Sequence, residues 1–363
     1  MAAGLHIRKR AVSNLGRRLP LYYRCRTAGL VGRFVRGRFM DALPHRIVSV
    51  EFTDVDQFAL AQPDGDAEHM QLGAGLLRLR MTHGEFGPVT VQCNRLDNAY
   101  LARARFRPDR VAMFFDIGAE PGASRLNGFT MGRSGAVLFG PGAELHARAE
   151  SGQRWAMITL DQGRLDAILD GARLPREGVC GFSGGLLQHA RGLPVLAREF
   201  AAVASLDPTR LSGEAAAGAV VESVLGQIAL GLGPEEPPPR AGRRQVRLVA
   251  AAVERIEASL GAPVYTQTIS EALGIGARPL NDAFRAVYGI TLQRYLQIRR
   301  LTLARRSLRD GGGPALVKQV ALDCGFWHFG RFALAYRGQF GESPSQTLAG
   351  RGGRSAVAVR PPG

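Results

Sequence analysis

Between Arg46 and Leu160, apolar and polar positions alternate in short runs separated by turn residues. The pattern predicts strands over Ile47–Phe52, Leu76–Met81, Val89–Cys93, Tyr100–Ala104, Val111–Ile117, Gly128–Met131, Ala136–Phe139, Glu144–Ala149 and Trp155–Leu160. Asp64-Gly65, His83-Gly84, Gly118 to Gly122 and Gly140-Pro141-Gly142 punctuate them. Many short strands at regular spacing predict a sandwich or barrel. After Leu160 the apolar spacing lengthens to a helical period, with helices expected over Gln162–Leu169, Leu186–Ala204 and Gly213–Leu232. In the last of these Val221, Leu225 and Ile228 form a stripe that fits either packing against the barrel or a dimer contact. Gly233-Pro234-Glu235-Glu236-Pro237-Pro238-Pro239 predicts a stiff linker.

Beyond the linker the chain reads as all helix. Val246, Val249, Ala250, Val253 and Ile256 fall at core spacing in a helix from Arg243 to about Leu260. A short helix through Leu273, capped by Thr266 or Thr268, precedes a Gly274-Ile275-Gly276 turn and a second helix over Ala277–Tyr288. A long helix, Gln293–Leu308, leads through Gly311-Gly312-Gly313-Pro314 to another pair: Val317–Cys324, a stop at Gly325, and a helix beginning near His328. Two short helices joined by a tight glycine turn can place the second in a DNA major groove, and the pattern occurs twice.

The first such helix turns Leu280, Ala283, Phe284 and Val287 inward, leaving Arg278, Asn281, Asp282 and Arg285 outward. Arg pairs bidentately with guanine, Asn with adenine, and Asp accepts from cytosine, so Arg278, Asn281 and Asp282 are base-reading candidates. In the second pair His328 and Arg331 are the candidates, while Leu334 suits a thymine methyl. Arg285, Arg299, Arg305 and Arg337 are placed to meet phosphate.

Charge sharpens this division. The formal net charge is +16. Residues 1–49 carry 11 Arg/Lys against one acid, and residues 240–363 carry 19 against 7, which leaves a net −6 for residues 50–239. An acidic middle between basic ends argues for a separate nucleic-acid module over a uniformly cationic protein. The four cysteines are scattered without a C-x-x-C, so no disulfide framework or zinc site is expected and a reducing cytoplasm fits. His83 with Glu85, and His146 alone, read as surface or turn residues and not as a metal-ligating set. No cofactor is therefore expected. No apolar run approaches the ~20 residues of a membrane helix, so no membrane partner is expected either.

Residues Ala321-Leu322-Asp323-Cys324-Gly325-Phe326, then Arg331-Phe332-Ala333-Leu334-Ala335-Tyr336-Arg337, then Phe340-Gly341-Glu342-Ser343-Pro344 resemble the C-terminal signature of the AraC/XylS family of bacterial transcription regulators. Tyr295-Leu296, Arg300-Leu301 and Ala304-Arg305 match the family's connecting helix. More loosely, Arg125 to Gly128, Leu138 to Gly142 and Arg154-Trp155 look like the sensor half of regulators similar to that of the ethanolamine operon. The resemblance implies a multidomain protein. Its N-terminal part would be a β-rich, cupin-like barrel with flanking helices, and its C-terminal part an all-α domain with two helix-turn-helix motifs. On this chain the sensor would span 46–172 and a helical dimerisation or packing segment 173–232, after a basic arm over 1–45 whose Arg-rich, acid-poor composition predicts disorder. A linker over 233–241, a DNA-binding domain over 242–350 and a disordered tail over 351–363 complete it. It implies a sequence-specific regulator, not an enzyme, with double-stranded DNA, a small-molecule effector, a second copy and, for an activator, RNA polymerase as partners. Asp282, Gly330 and Leu334 depart from the residue types usual in relatives. Two rivals are a cupin enzyme fused to a DNA anchor and a non-specific architectural DNA binder.

Overall fold

The computed structural model describes residues 21–24, 31–34, 47–62, 65–118, 124–131, 136–169, 179–182, 192–231, 240–259, 264–310, 316–350 and 358–359. Most of the expected arm, linker and tail, and the Gly311 to Pro314 turn, lie outside these residues. Two parts of the expected arm, β1 (Leu21–Arg24) and β2 (Val31–Phe34), pair as an antiparallel hairpin. β15 (Ala358–Val359), within the expected tail, pairs with the strand Ile47–Phe52.

The first large unit contains β3 (Ile47–Phe52), α1 (Val55–Leu60), β4 (Gly65–Gln71), β5 (Leu79–Phe86), β6 (Val89–Leu96), β7 (Tyr100–Phe106) and β8 (Arg110–Asp116). It continues with β9 (Arg125–Leu126), β10 (Phe129–Thr130), β11 (Ala136–Phe139), β12 (Glu144–Ala149), β13 (Arg154–Asp161), α2 (Gln162–Leu169) and β14 (Val179–Phe182). An eight-stranded sheet runs β14-β11-β8-β13-β6-β5-β3-β15, and a five-stranded sheet runs β10-β9-β12-β7-β4. All pairs are antiparallel. Inward residues of both sheets, among them Val50, Phe52, Met81, Tyr100, Phe114, Phe139, Leu145, Trp155 and Met157, form one core. On the outer face of the larger sheet, Phe86, Val91, Phe115 and Ile158 pack on α3 (Gly192–Leu206) and α4 (Glu214–Gly231) through Leu193, Ala197, Phe200, Val224 and Ile228. That contact supports the packing reading of the α4 stripe, whose Val221 and Leu225 are partly buried there.

Three local expectations change. Gly65–Gln71 forms a strand although its sequence is polar, and Val55–Leu60 forms a helix capped by the Asp54 side chain, which accepts from the Asp56 amide at 2.8 Å. His83-Gly84 is not a turn: both residues lie within β5. His83 is fully buried with Nε2 3.5 Å from Glu85, and a Cβ on Gly84 would lie 2.8 Å from the Phe200 ring.

The helical unit comprises α5 (Arg240–Ala258), α6 (Thr266–Leu273), α7 (Ala277–Tyr288), α8 (Leu292–Asp310), α9 (Val317–Asp323), α10 (Phe329–Phe340) and α11 (Pro344–Ala349). The long α8 joins two cores. Its N-terminal half packs with Val249, Val253, Phe284 and Tyr288, and its C-terminal half with Val320, Phe332, Tyr336 and Phe340. Gly274 and Gly325 each end a helix at positive φ, +63° and +79°, so both sharp turns need a residue without a Cβ. No threonine side chain caps α6; Tyr265 holds that position and Thr266 begins the helix. The Gly-Glu-Ser-Pro turn is a capping box: the Ser343 hydroxyl accepts from the Gln346 amide at 3.2 Å, and Gln346 Oε1 accepts from the Ser343 amide at 2.7 Å.

Candidate nucleic-acid interface

α7 is strongly amphipathic. Leu280, Ala283, Phe284, Val287 and Tyr288 are buried, and Arg278, Asp282 and Arg285 are exposed. Arg278 sits in the first turn, the part of a recognition helix that reaches base edges. Asp282 lies 3.8 Å from Arg285 on the same face, a loose exposed pair that orients the arginine and leaves it available.

Asn281 does not belong to this reading face. Its Nδ2 donates to the Ala277 carbonyl at 2.9 Å, and its Oδ1 accepts from the Leu292 amide at 3.1 Å. The amide thus satisfies the first free N–H of α8 and fixes the angle between α7 and α8. Asn281→Ala is expected to cost about 1–2 kcal/mol of stability without changing base preference. Thermal melting and a binding-site selection measure the two effects separately, and a shifted base preference would return Asn281 to the groove.

On α10, His328 precedes the helix, and His328, Gly330, Arg331, Leu334 and Arg337 are exposed. Two of the phosphate candidates are absorbed by the fold. Arg299 is 7% exposed and holds Glu257 through bonds of 2.9 and 2.7 Å. Arg305 lies 3.3 Å from Glu342 and 3.7 Å from Asp54, with its guanidinium 4.5 Å from the centre of the Phe340 ring. Arg285 and Arg337 remain exposed.

A second set of contacts, with no obvious signature in the sequence, docks the helical unit on the five-stranded sheet. Arg306 bonds to Asp56 at 2.6 and 2.9 Å and to Glu68 at 2.7 Å. Arg309 pairs with the buried Asp54. Burial alone would raise the Asp54 carboxyl, but Arg309 and Arg305 outweigh it and hold the group below its usual value. The C-terminal end of α7 is gripped directly. Arg125 donates to the carbonyls of Arg285 (2.8 Å) and Ala286 (3.2 Å), and Arg148 to that of Gly289 (3.2 Å). His146 Nδ1 and the Tyr288 hydroxyl share a buried hydrogen bond of 2.7 Å. Two guanidinium groups at the free carbonyls complement the negative end of the helix dipole. Gln339 Nε2 donates to the carbonyls of Gln71 (2.9 Å) and Gly73 (3.1 Å), and Gln71 Nε2 donates back to the Gln339 carbonyl at 2.8 Å.

Residues 269–350 match a family described as "Helix-turn-helix domain". The XylDLEGF operon transcriptional activator of Pseudomonas putida is 36% identical over 97 residues, 26% of this chain and 30% of that protein. The probable thc operon regulatory protein of Rhodococcus erythropolis is 35% identical over 102 residues, 28% of this chain and 31% of that protein. A solved probable AraC family transcriptional regulator from Rhodopseudomonas palustris is 35% identical, covering 29% of this chain and 97% of that structure at a TM-score of 0.27. Through its C-terminal domain this chain belongs to the AraC/XylS family. The match spans about 30% of the length of these curated relatives.

The AraC/XylS domain here is joined to a β-unit that holds a partly open cavity of about 60 Å³ between its two sheets. The wall is mostly apolar, with Phe114, Leu145, Trp155 and Met157 among its residues. His69 also lines it, its ring set at an angle between those of Phe58 and Tyr100, with centroids 4.8 and 5.0 Å away. Burial drops the His69 imidazole to about 3, so the ring is neutral at neutral pH. Its Nδ1 is buried without a partner. Among the described residues no group of three or more His, Cys, Asp or Glu is placed to hold a metal ion, and no helix is long and apolar enough to cross a membrane.

Proposed function

We propose that this chain is a sequence-specific, DNA-binding transcription regulator whose two helix-turn-helix units occupy successive major-groove segments. The observation that carries this reading is the face of α7. Arg278 stands exposed in its first turn while the apolar side is wholly committed to the core. Arg278 and Asp282 read bases in the first segment, with Arg285 on phosphate. The second unit contributes Arg331 and His328, Leu334 against a thymine methyl, and Arg337 on phosphate. With fewer base-reading groups, α10 draws more of its selectivity from DNA shape.

The β-unit is the sensor, the cavity between its sheets is the effector site, and the protein acts in the cytoplasm as a homodimer, touching RNA polymerase if it activates. Its action is binding, not catalysis. Arg278→Ala is expected to weaken specific binding by about 1–3 kcal/mol and to relax preference at one base position. A binding-site selection on the variant tests this directly. An unchanged preferred site would mean that α7 does not read the groove through Arg278, and equal protection of random and promoter DNA would favour a non-specific binder.

A further inference from the structure

We infer that the cavity between the two sheets takes an uncharged, largely apolar molecule of about one or two rings, and that its occupancy reaches the first recognition helix through the five-stranded sheet. This rests on the reading of the β-unit as the sensor.

The sheet is one layer with two duties. Successive side chains of a strand point to opposite faces. On β4, Ala67 and His69 line the cavity, while Glu68 bonds to Arg306 and Met70 packs into the core of the helical unit. On β7, Tyr100 and Ala102 line the cavity and Leu101 enters that same core. On β12, Leu145 and Ala147 line it, while His146 holds Tyr288 and Arg148 holds Gly289. No second layer separates a bound molecule from the end of α7. The clamp on β12 is stiffened from behind: Asn127, at φ +48°, accepts from the His146 amide through Oδ1 at 2.6 Å and donates its own amide to the His146 carbonyl at 2.8 Å.

Size favours the coupling. The cavity holds about 60 Å³, whereas an apolar cavity that accommodates benzene measures about 150 Å³. A ring can be buried fully within it only if a wall moves. The eight-stranded wall is backed by an apolar core with α3 and α4, and close-packed cores resist displacement. Behind the five-stranded wall, polar and ionic contacts supply much of the backing, and these can exchange for water.

Charge selects the ligand. Arg148, a cation on the lining, is already occupied, with Nε 2.6 Å from Glu150 and a bond to the Gly289 carbonyl. An anion would bring an uncompensated charge into an apolar cavity. The buried, unpartnered Nδ1 of His69 provides one hydrogen-bonding position.

The test uses the full chain with a matched pair of probes, 1-naphthol and 1-naphthoate. Near saturation, 1-naphthol is expected to raise the melting temperature by about 5 °C and 1-naphthoate to leave it unchanged. Hydrogen exchange at the amides of residues 285–292 should quicken about tenfold with 1-naphthol bound, as the clamp loosens. Ala102→Phe, which fills the cavity, should abolish the naphthol shift and quicken the same amides without ligand. Equal or tighter binding of 1-naphthoate overturns the uncharged ligand, and no shift with either probe overturns the ring-sized site. A shift with unchanged exchange overturns the coupling. If Ala102→Phe does not fold, the probe pair on the unmodified chain decides alone. None of these readouts involves DNA, so a gel-shift failure would sink the regulator reading separately.

Discussion

Arg306→Ala is expected to lower the melting temperature of the full chain by about 6–10 °C, corresponding to about 3 kcal/mol. The guanidinium lies between two carboxylates, Asp56 and Glu68, and donates to both as well as to the His69 carbonyl at 3.4 Å. Its removal leaves two acids, Asp56 on α1 and Glu68 on β4, with no cation between them. Breaking a buried pair by deleting one partner costs about 3–5 kcal/mol. The three side chains retain between 22% and 31% exposure, which places the effect at the low end. Lysine at this position should recover only part of the loss, because one ammonium cannot replace the fork. Combining Arg306→Ala with Asp56→Asn and Glu68→Gln should recover more, because no charge is then left unpaired. If the single variant melts with the parent protein, the docked arrangement does not persist in solution.

Phe284→Ala is expected to destabilise the first helix-turn-helix by about 3–5 kcal/mol. The ring is fully buried, 5.2 Å from Tyr295 and 6.0 Å from Tyr288, and those two tyrosines stack at 5.4 Å. Its loss opens a cavity where α7 and α8 meet, so the angle of the recognition helix is lost together with the stability. Specific DNA binding should disappear, and amide protection over α6 and α7 should fall while protection in β6 and β13 is retained. The contrast with Arg278→Ala is informative, since that variant should bind poorly yet melt normally. A Phe284→Ala protein that melts within about a degree of the parent would refute the packing.

These two residues mark the limits of reading the chain in one dimension. Phe284 was legible because its helix obeys a 3.6-residue period, and most strands of the β-unit were legible because they alternate. The second helix-turn-helix was plainer still, since Gly325 and the Ser343–Gln346 box act within a few residues of themselves. Gly65–Gln71 escaped because both of its faces are covered, one by the cavity and one by the helical unit, so a buried polar strand shows no alternation. Arg299 and Arg305 were misplaced for a related reason. An arginine on a helix looks solvated unless its partner is known, and Glu257, Glu342 and Asp54 come from distant parts of the chain. Asn281 has the residue type of a base reader, but its partner, the Leu292 amide, exists only once the two helices meet.

The arginines of α8 also set how the protein responds to salt. Affinity for DNA depends on salt through the counter-ions displaced from phosphate, with a slope of about 0.9 for each phosphate neutralised. Arg299, Arg305, Arg306 and Arg309 are already neutralised by acids of the same chain. The formal charge of the C-terminal region therefore overstates the cation valence that a duplex would meet. Buried and partly buried pairs are screened less than exposed ones, so rising ionic strength weakens the outer contacts with a duplex before the inner pairs that keep the two units docked.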